Sequence, residues 1–182
     1  VTLSMTLESI GSCAYIISNK DALVASQSIA QIEVCQAGWV ASAAKHLQPW
    51  DGDFETLLYF SGAFSLTVGF IDACPASNPP IPVTVFSMLS VSNSTPMHGD
   101  TIALAYNVSV PAGNMTFLAW YSGLSTIFTP ITNGSTTVPD ALLETVYTGV
   151  VTNQSAQTGD ATMLTGLAVF NFPFNSSVRG NA

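Results

Sequence analysis

The sequence predicts a mainly β fold: an antiparallel β-sandwich with one helix in its N-terminal quarter and a separate extension strand at its N-terminus. Three observations predict it. From residue 54 onward, apolar residues recur with a period of two in short runs divided by turn compositions. One earlier stretch, residues 28–47, instead carries a helical period and helix-favouring Ala, Gln and Glu. The first seven residues alternate without a break, with Val1, Leu3, Met5 and Leu7 on one side and Thr2, Ser4 and Thr6 on the other. Residues 1–12 therefore read as an extension and residues 13–182 as one sandwich domain, a size that buries a sizeable core.

In chain order, the opening strand ends at a turn at Gly11-Ser12. A short apolar segment, CAYIIS, follows and closes at Asn19-Lys20-Asp21. The helix comes next. Ile29, Ile32, Cys35 or Gln36, Trp39, Ala43 and Leu47 recur at spacings of three and four, Ser28 is placed to cap the start, and Pro49 to stop the end. FETLLYF and AFSLTVGFIDA then read as a strand pair joined near Ser61-Gly62, and PASNPPIP as a proline-rich connection. PVTVFSMLSVS, DTIALAYNVSV, NMTFLAWYSG, STIFTPIT, LLETVYTGVVT and TMLTGLAVFNF are further strands. STPMHG, PAGN, NGSTTVPD and NQSAQTGD are the turns between them. Strands at near-regular spacing with no helix between them argue for an antiparallel sandwich.

Composition excludes several functions. Charged residues are 8 % of the chain against a usual share of about 25 %, and hydrophobic residues are 48 %. Only Lys20, Lys45 and Arg179 are basic and the net charge is −8, so nothing supplies the basic stripe that nucleic acid or an anionic membrane surface requires. No run approaches the roughly 18–20 apolar residues of a spanning helix. A surface this poor in charge needs another source of solubility, and attached sugar or burial in a permanent assembly are the two candidates.

Six of the ten asparagines stand in N-x-Ser/Thr: Asn93, Asn107, Asn114, Asn133, Asn153 and Asn175. Ser and Thr are 40 of 182 residues, so ten asparagines give about two such matches by chance. All six lie after residue 92. Glycans at these sites would face solvent and place the protein outside the cell, with a sugar-coated C-terminal half. Cys13, Cys35 and Cys74 lack zinc-site spacing. In an oxidising compartment they allow one disulfide and one thiol, with Cys13–Cys35 the preferred pair and buried free cysteines the alternative. Beginning inside a strand, the sequence reads as that of a mature or trimmed chain.

Catalytic patterns are missing from the sequence. There is no G-x-S-x-G elbow, His98 sits in the turn composition PMHGD, and His46 lies at a helix end. Asp51, Asp53 and Glu55 alternate as hard oxygen ligands would, but without the rest of a calcium loop they read as an acidic turn. Trp39, Trp50, Trp120 and Tyr121 are candidates for stacking on sugar or for the core. No enzyme activity, cofactor or metal is expected.

A lone amphipathic strand, an all-β body, low charge and clustered sequons together resemble donor-strand fibre subunits, meaning pilins of the chaperone–usher kind and similar archaeal filaments. The resemblance is one of layout, sharpest over the first dozen residues, and the helix at 28–47 departs from it. It implies an Ig-like, pilin-like sandwich missing one strand, whose exposed edge and open core are filled by a neighbour's N-terminal strand. The plug would be Val1, Leu3, Met5 and Leu7, with Ile10 joining after a register change. The partner would be the chain itself, in a head-to-tail, cell-surface homopolymer carrying covalent N-glycans outward. The strand alone does not separate its own core from a neighbour's. A viral capsid or spike jelly roll, and a secreted carbohydrate-binding domain using Trp120, Tyr121 or the Asp51–Glu55 turn, are the other readings.

Overall fold

A computed structural model of the chain describes residues 23–50, 52–110, 115–140, 142, 144–154 and 162–172. The opening strand with Val1, Leu3, Met5 and Leu7, the CAYIIS segment and Cys13 lie outside the described residues.

The described chain is mainly β. Helix α1 (Leu23–Trp39) continues into a π-helical turn, Val40–Ala44, and α2 (Phe60–Thr67) runs into a short 3-10 turn, Val68–Phe70. Seven strands follow: β1 (Ser90–Val91), β2 (Thr101–Ala105), β3 (Phe117–Ser122), β4 (Ser125–Pro130), β5 (Ser135–Thr137), β6 (Thr145–Val151) and β7 (Ala168–Asn171). They form two antiparallel sheets, one ordered β1-β2-β5 and the other β4-β3-β6-β7.

The larger sheet is covered on both faces. Leu118 and Trp120 of β3, Val146 and Val150 of β6 and Phe170 of β7 point toward the smaller sheet, where they pack with Ile102 and Leu104 of β2. Ala119 and Tyr121, then Tyr147 and Val151, point the other way and pack under Leu58, Ala63, Met163 and Leu167. Five of six β3 residues and six of seven β6 residues are therefore buried, where a sheet with one wet face would alternate. A hydroxyl chain ties the sheets at their corner: Trp120 Nε1 donates to Thr129 Oγ1 at 2.8 Å, and Thr136 Oγ1 lies 2.8 Å from the same oxygen. At the opposite margin, Gly166 N donates to Ser87 O and Asn171 N to Ser94 O.

Several elements differ from the sequence-based expectation; among them NGSTTVPD, expected as a turn throughout, carries β5 (Ser135–Thr137) directly after its Asn133-Gly134 turn. Among the described residues the first helix runs from Leu23 rather than from Ser28, and helical winding ends at Lys45 rather than running to Leu47. His46 takes a left-handed φ of 57° there, and Leu47 N reaches back to Ala41 O at 2.9 Å. Gly38 inside this helix has a packing role, since a Cβ there would sit 3.3 Å from Pro49 O.

AFSLTVGFIDA forms no strand: residues 60–67, which include its start, form α2, and a 3-10 turn carries the chain to Phe70. Its small residues decide this: Ser61, Gly62 and Ala63 are buried, and a Cβ on Gly62 would already approach Leu167 Cδ1 to 3.1 Å. Ser65 Oγ donates to Gly62 O and accepts from Leu167 N, fixing the helix to the chain beside β7. Because α2 covers the second face of the sheet, the described residues hold two α-helices where one is expected.

PVTVFSMLSVS contributes only Ser90–Val91 to a strand. Upstream of them the main chain bonds elsewhere, Thr84 N to Ser61 Oγ and Ser87 O to Gly166 N. FETLLYF keeps its alternation, with Thr56 and Leu58 buried and Leu57 and Tyr59 exposed, but outside any ladder. Gly123 N donates to Thr56 Oγ1 at 2.8 Å and ties this segment to the β3–β4 hairpin.

Two outcomes follow from this packing. Trp120 is fully buried and Trp50 is 63 % exposed. Trp120→Ala is expected to lower unfolding free energy by about 3–5 kcal/mol in urea titrations, and Trp50→Ala by about 0.5 kcal/mol or less. Burial also pushes the Tyr121 phenol well above its ordinary range. The unfolded chain ionises this group near pH 10 while the fold keeps it neutral. Its stabilising effect is therefore complete below roughly pH 10 and is lost as pH rises beyond it. Phenolate absorbance during an alkaline titration should show one tyrosine ionising only as the protein unfolds.

Candidate functional site: an exposed apolar flank

Of the stripe read from the sequence, Ile29, Ile32, Cys35 and Trp39 fall on α1 and face outward, while Ala43 lies in the π turn and Leu47 beyond it. Ile29, Ile32 and Trp39 are exposed, Ile32 at 58 % and Trp39 at 66 %. The opposite side of the helix, Val34 and Ala37, together with Ala41 of the π turn, lines a groove against the sheet. The helix is thus apolar on both sides, a composition that suits full burial, yet only one side meets the described body.

The groove runs between α1, the 47–56 segment and the start of β6, with Tyr147 and Val169 also lining it, and it is open to solvent. Beyond it the apolar surface continues through Trp50, Phe54, Leu57 and Phe60, all exposed. Glu55 and Glu144 border the groove, and Glu144 is buried with its main-chain oxygen accepting from Phe172 N at 2.7 Å. The groove mixes apolar side chains with Gln48, Thr56, Thr145 and Asn171, so it is polar as well as apolar.

The other sequence candidates fall as follows. Trp120 and Tyr121 are core residues, so neither presents a face to sugar. His98 stacks on Phe172 with ring centroids 5.0 Å apart, and its Nδ1 lies 2.9 Å from Pro139 O, so the ring is engaged in packing a turn. Among the described residues no group of three or more His, Cys, Asp or Glu comes together to hold a metal, and Asp51 lies outside them. No described helix is long and apolar enough to cross a membrane. Cys35 on α1 and Cys74 are exposed free cysteines among the described residues, and a Cys13–Cys35 pairing involves a residue outside them.

Four sequon asparagines are described, and Asn93, Asn107, Asn133 and Asn153 are all exposed; Asn114 and Asn175 lie outside the described residues. Asn93 Oδ1 accepts from Thr95 N and Oγ1, a turn in which its Nδ2, the atom a glycan would join, takes no part. Asn133 has a φ of 51° and Gly134 one of 72°, the left-handed pair that a two-residue turn between Thr132 and Ser135 requires. Strand pairing places three of these sites at one end of the sheets. Asn107 follows β2, Asn133 sits between β4 and β5 beside Leu104, and Asn153 follows β6, whose Val151 pairs with the first residue of β3.

No family model matches this chain, and no curated protein matches it.

The outward apolar stripe was spelled out in the sequence as Ile29, Ile32 and Trp39, but periodicity reports which residues share a face and is silent on what that face meets. If the stripe serves association, Ile32→Lys with Trp39→Lys should leave the melting temperature nearly unchanged. The same variant should then sediment more slowly than the unmodified chain at equal concentration, and an unchanged coefficient would exclude the stripe from association.

Proposed function

We propose that this chain is the structural subunit of an extracellular, glycosylated, pilus-like filament at the cell surface. The two sheets are read as the layers of a pilin-like sandwich, and subunits join head-to-tail as the N-terminal strand of one enters the next. The observation that carries this reading is the apolar flank of α1, left outside a body whose core is already filled. With 8 % charged residues the chain has little charge to offset such a flank, and a permanent assembly would remove it from solvent.

Two further features support the reading. The opening strand has four apolar side chains on one face, and burying each stabilises a junction by about 1.5–3 kcal/mol before ordering costs. A head-to-tail contact is heterologous and does not close on itself, so it propagates. The exposed sequons give the surface a polar source other than charge, and their grouping at one end of the sheets leaves the helical flank free for contacts between subunits. Under this reading the partners are other copies of the chain and covalent N-glycans, and catalysis has no part. The carbohydrate-binding alternative loses Trp120 and Tyr121 to the core, and no described feature favours a capsid.

Negative-stain microscopy of the purified full chain should show filaments, and the variant lacking residues 1–10 should elute as a folded monomer. Filaments persisting in that variant would overturn the donor-strand junction, and monomers or closed shells from the full chain would overturn the filament itself. Peptide mass spectrometry on the same material should find hexose on Asn93, Asn107, Asn133 and Asn153; unmodified peptides would remove the sugar-coated surface from the reading.

A further inference from the structure

The filament reading leaves the acceptor undefined, because the core between the two sheets has no vacancy: Ile102, Leu118, Trp120, Val146, Val150 and Phe170 are at most 1 % exposed. A strand cannot enter there without expelling side chains already packed. The acceptor must be an edge with unspent main-chain groups, so the edges of the larger sheet decide the matter.

One edge is tied. β7 pairs with β6 on one side, and on the other the chain around it is pinned to the β1 segment by Gly166 N to Ser87 O and Asn171 N to Ser94 O. The other edge is β4. Its six residues pair with β3 throughout, from Phe117↔Pro130 to Ser122↔Ser125, and the two strands join through Gly123-Leu124 alone. In a two-residue hairpin the closing pair exchanges both hydrogen bonds, so Ser125, Ile127 and Thr129 bond inward to β3. The N–H and C=O of Thr126 and Phe128 therefore point outward. Pro130 O, on the same side by this alternation, accepts from Thr136 Oγ1 at 2.9 Å, which confirms the phase. Among the described residues nothing pairs with the outward groups of Thr126 and Phe128.

We infer that the outer edge of β4 is the acceptor, and that its occupant is residues 1–7 of a second copy of this chain. This inference rests on the filament reading. Four matches support the pairing. The lengths agree, seven alternating residues against the six of β4. The edge is half-buried along Thr126–Thr129, so an added strand extends a sheet rather than standing free. Phe128 lies at the margin of the core under α2, opposite Ala119, and a strand presenting Val1, Leu3, Met5 and Leu7 on that face would complete its cover. Residues 8–22 intervene before α1, and at about 3.3 Å per residue they span up to roughly 50 Å, enough to pass from one subunit to the next.

Thr126→Pro tests this directly, since its N–H faces outward and its loss leaves the β3–β4 ladder intact, a position where edge strands accept proline. The full-length variant is expected to fold, to keep its own donor strand and to form no filaments. The chain lacking residues 1–10 keeps the acceptor and loses the donor. Neither should assemble alone, and their mixture should yield one-to-one dimers and nothing longer. Filaments from Thr126→Pro, with the truncated chain still monomeric, would overturn the β4 acceptor and leave the filament reading standing. Absence of filaments from the unmodified chain, with both variants less stable than it, would mean that the strand seats within its own subunit and would overturn both. A measurement that needs no variant covers the case in which Thr126→Pro fails to fold. Amide exchange at Thr126 and Phe128 should slow by roughly a hundredfold or more on polymerisation, and unchanged exchange would overturn the proposal.

Discussion

The larger sheet is dry on both faces, and most of what the rest of the chain does follows from that. β3 and β6 carry apolar or hydroxyl side chains in nearly every position, so neither face tolerates water. One face is closed by the three-stranded sheet through Ile102 and Leu104, the other by α2 and the Met163–Leu167 stretch. A helix reaches the second face because it is lined with Ser61, Gly62 and Ala63, whose small side chains bring its backbone close to Leu167. Two of the hydroxyls buried in the process bond to nearby main chain: Thr165 Oγ1 accepts from Val150 N, and Ser65 Oγ accepts from Leu167 N. Orphaned, each would cost about 1–3 kcal/mol.

Once those two covers are in place the body has no further use for the apolar side chains of α1 and the 47–60 segment. They are not leftovers of a small core, since the core is already filled with Trp120, Phe170 and the valines of β6. An apolar flank and, separately, an edge strand with open main-chain groups are the two kinds of surface, side chain and backbone, that an assembly interface satisfies. The exposed sequons lie mostly at one end of the sheets, which separates the surface suited to sugar from the surface suited to contact.

Much of the β half was legible in the sequence. The hairpin at Gly123-Leu124, the Asn133-Gly134 turn and the strands around Leu118, Val146 and Phe170 follow from alternation and turn chemistry, which depend only on neighbouring residues. The errors share one cause. FSGAFSLT is apolar at both periods, so alternation could not separate a strand from a buried helix; the packing of Gly62 against Leu167 decides it. VTVFSML has the composition of a strand but forms no ladder, because its main chain is held by Ser61 and Gly166. In the candidate surface, the spacing of Ile29, Ile32 and Trp39 marks one helical face, but spacing does not say whether that face meets the body or solvent.

By itself the sequence determined a mainly β chain with two antiparallel sheets' worth of strands, an early helix, almost no charge to keep it in water and a row of sequons in its second half. These are properties of composition and of residues near one another along the chain. Only the tertiary structure decided which apolar residues are core and which are surface, that a second helix closes the sheet, and that β4 keeps an open edge. Those depend on contacts between residues far apart in sequence, such as Ser65 with Leu167 and Thr56 with Gly123, where competing partners for the same backbone group are resolved by geometry.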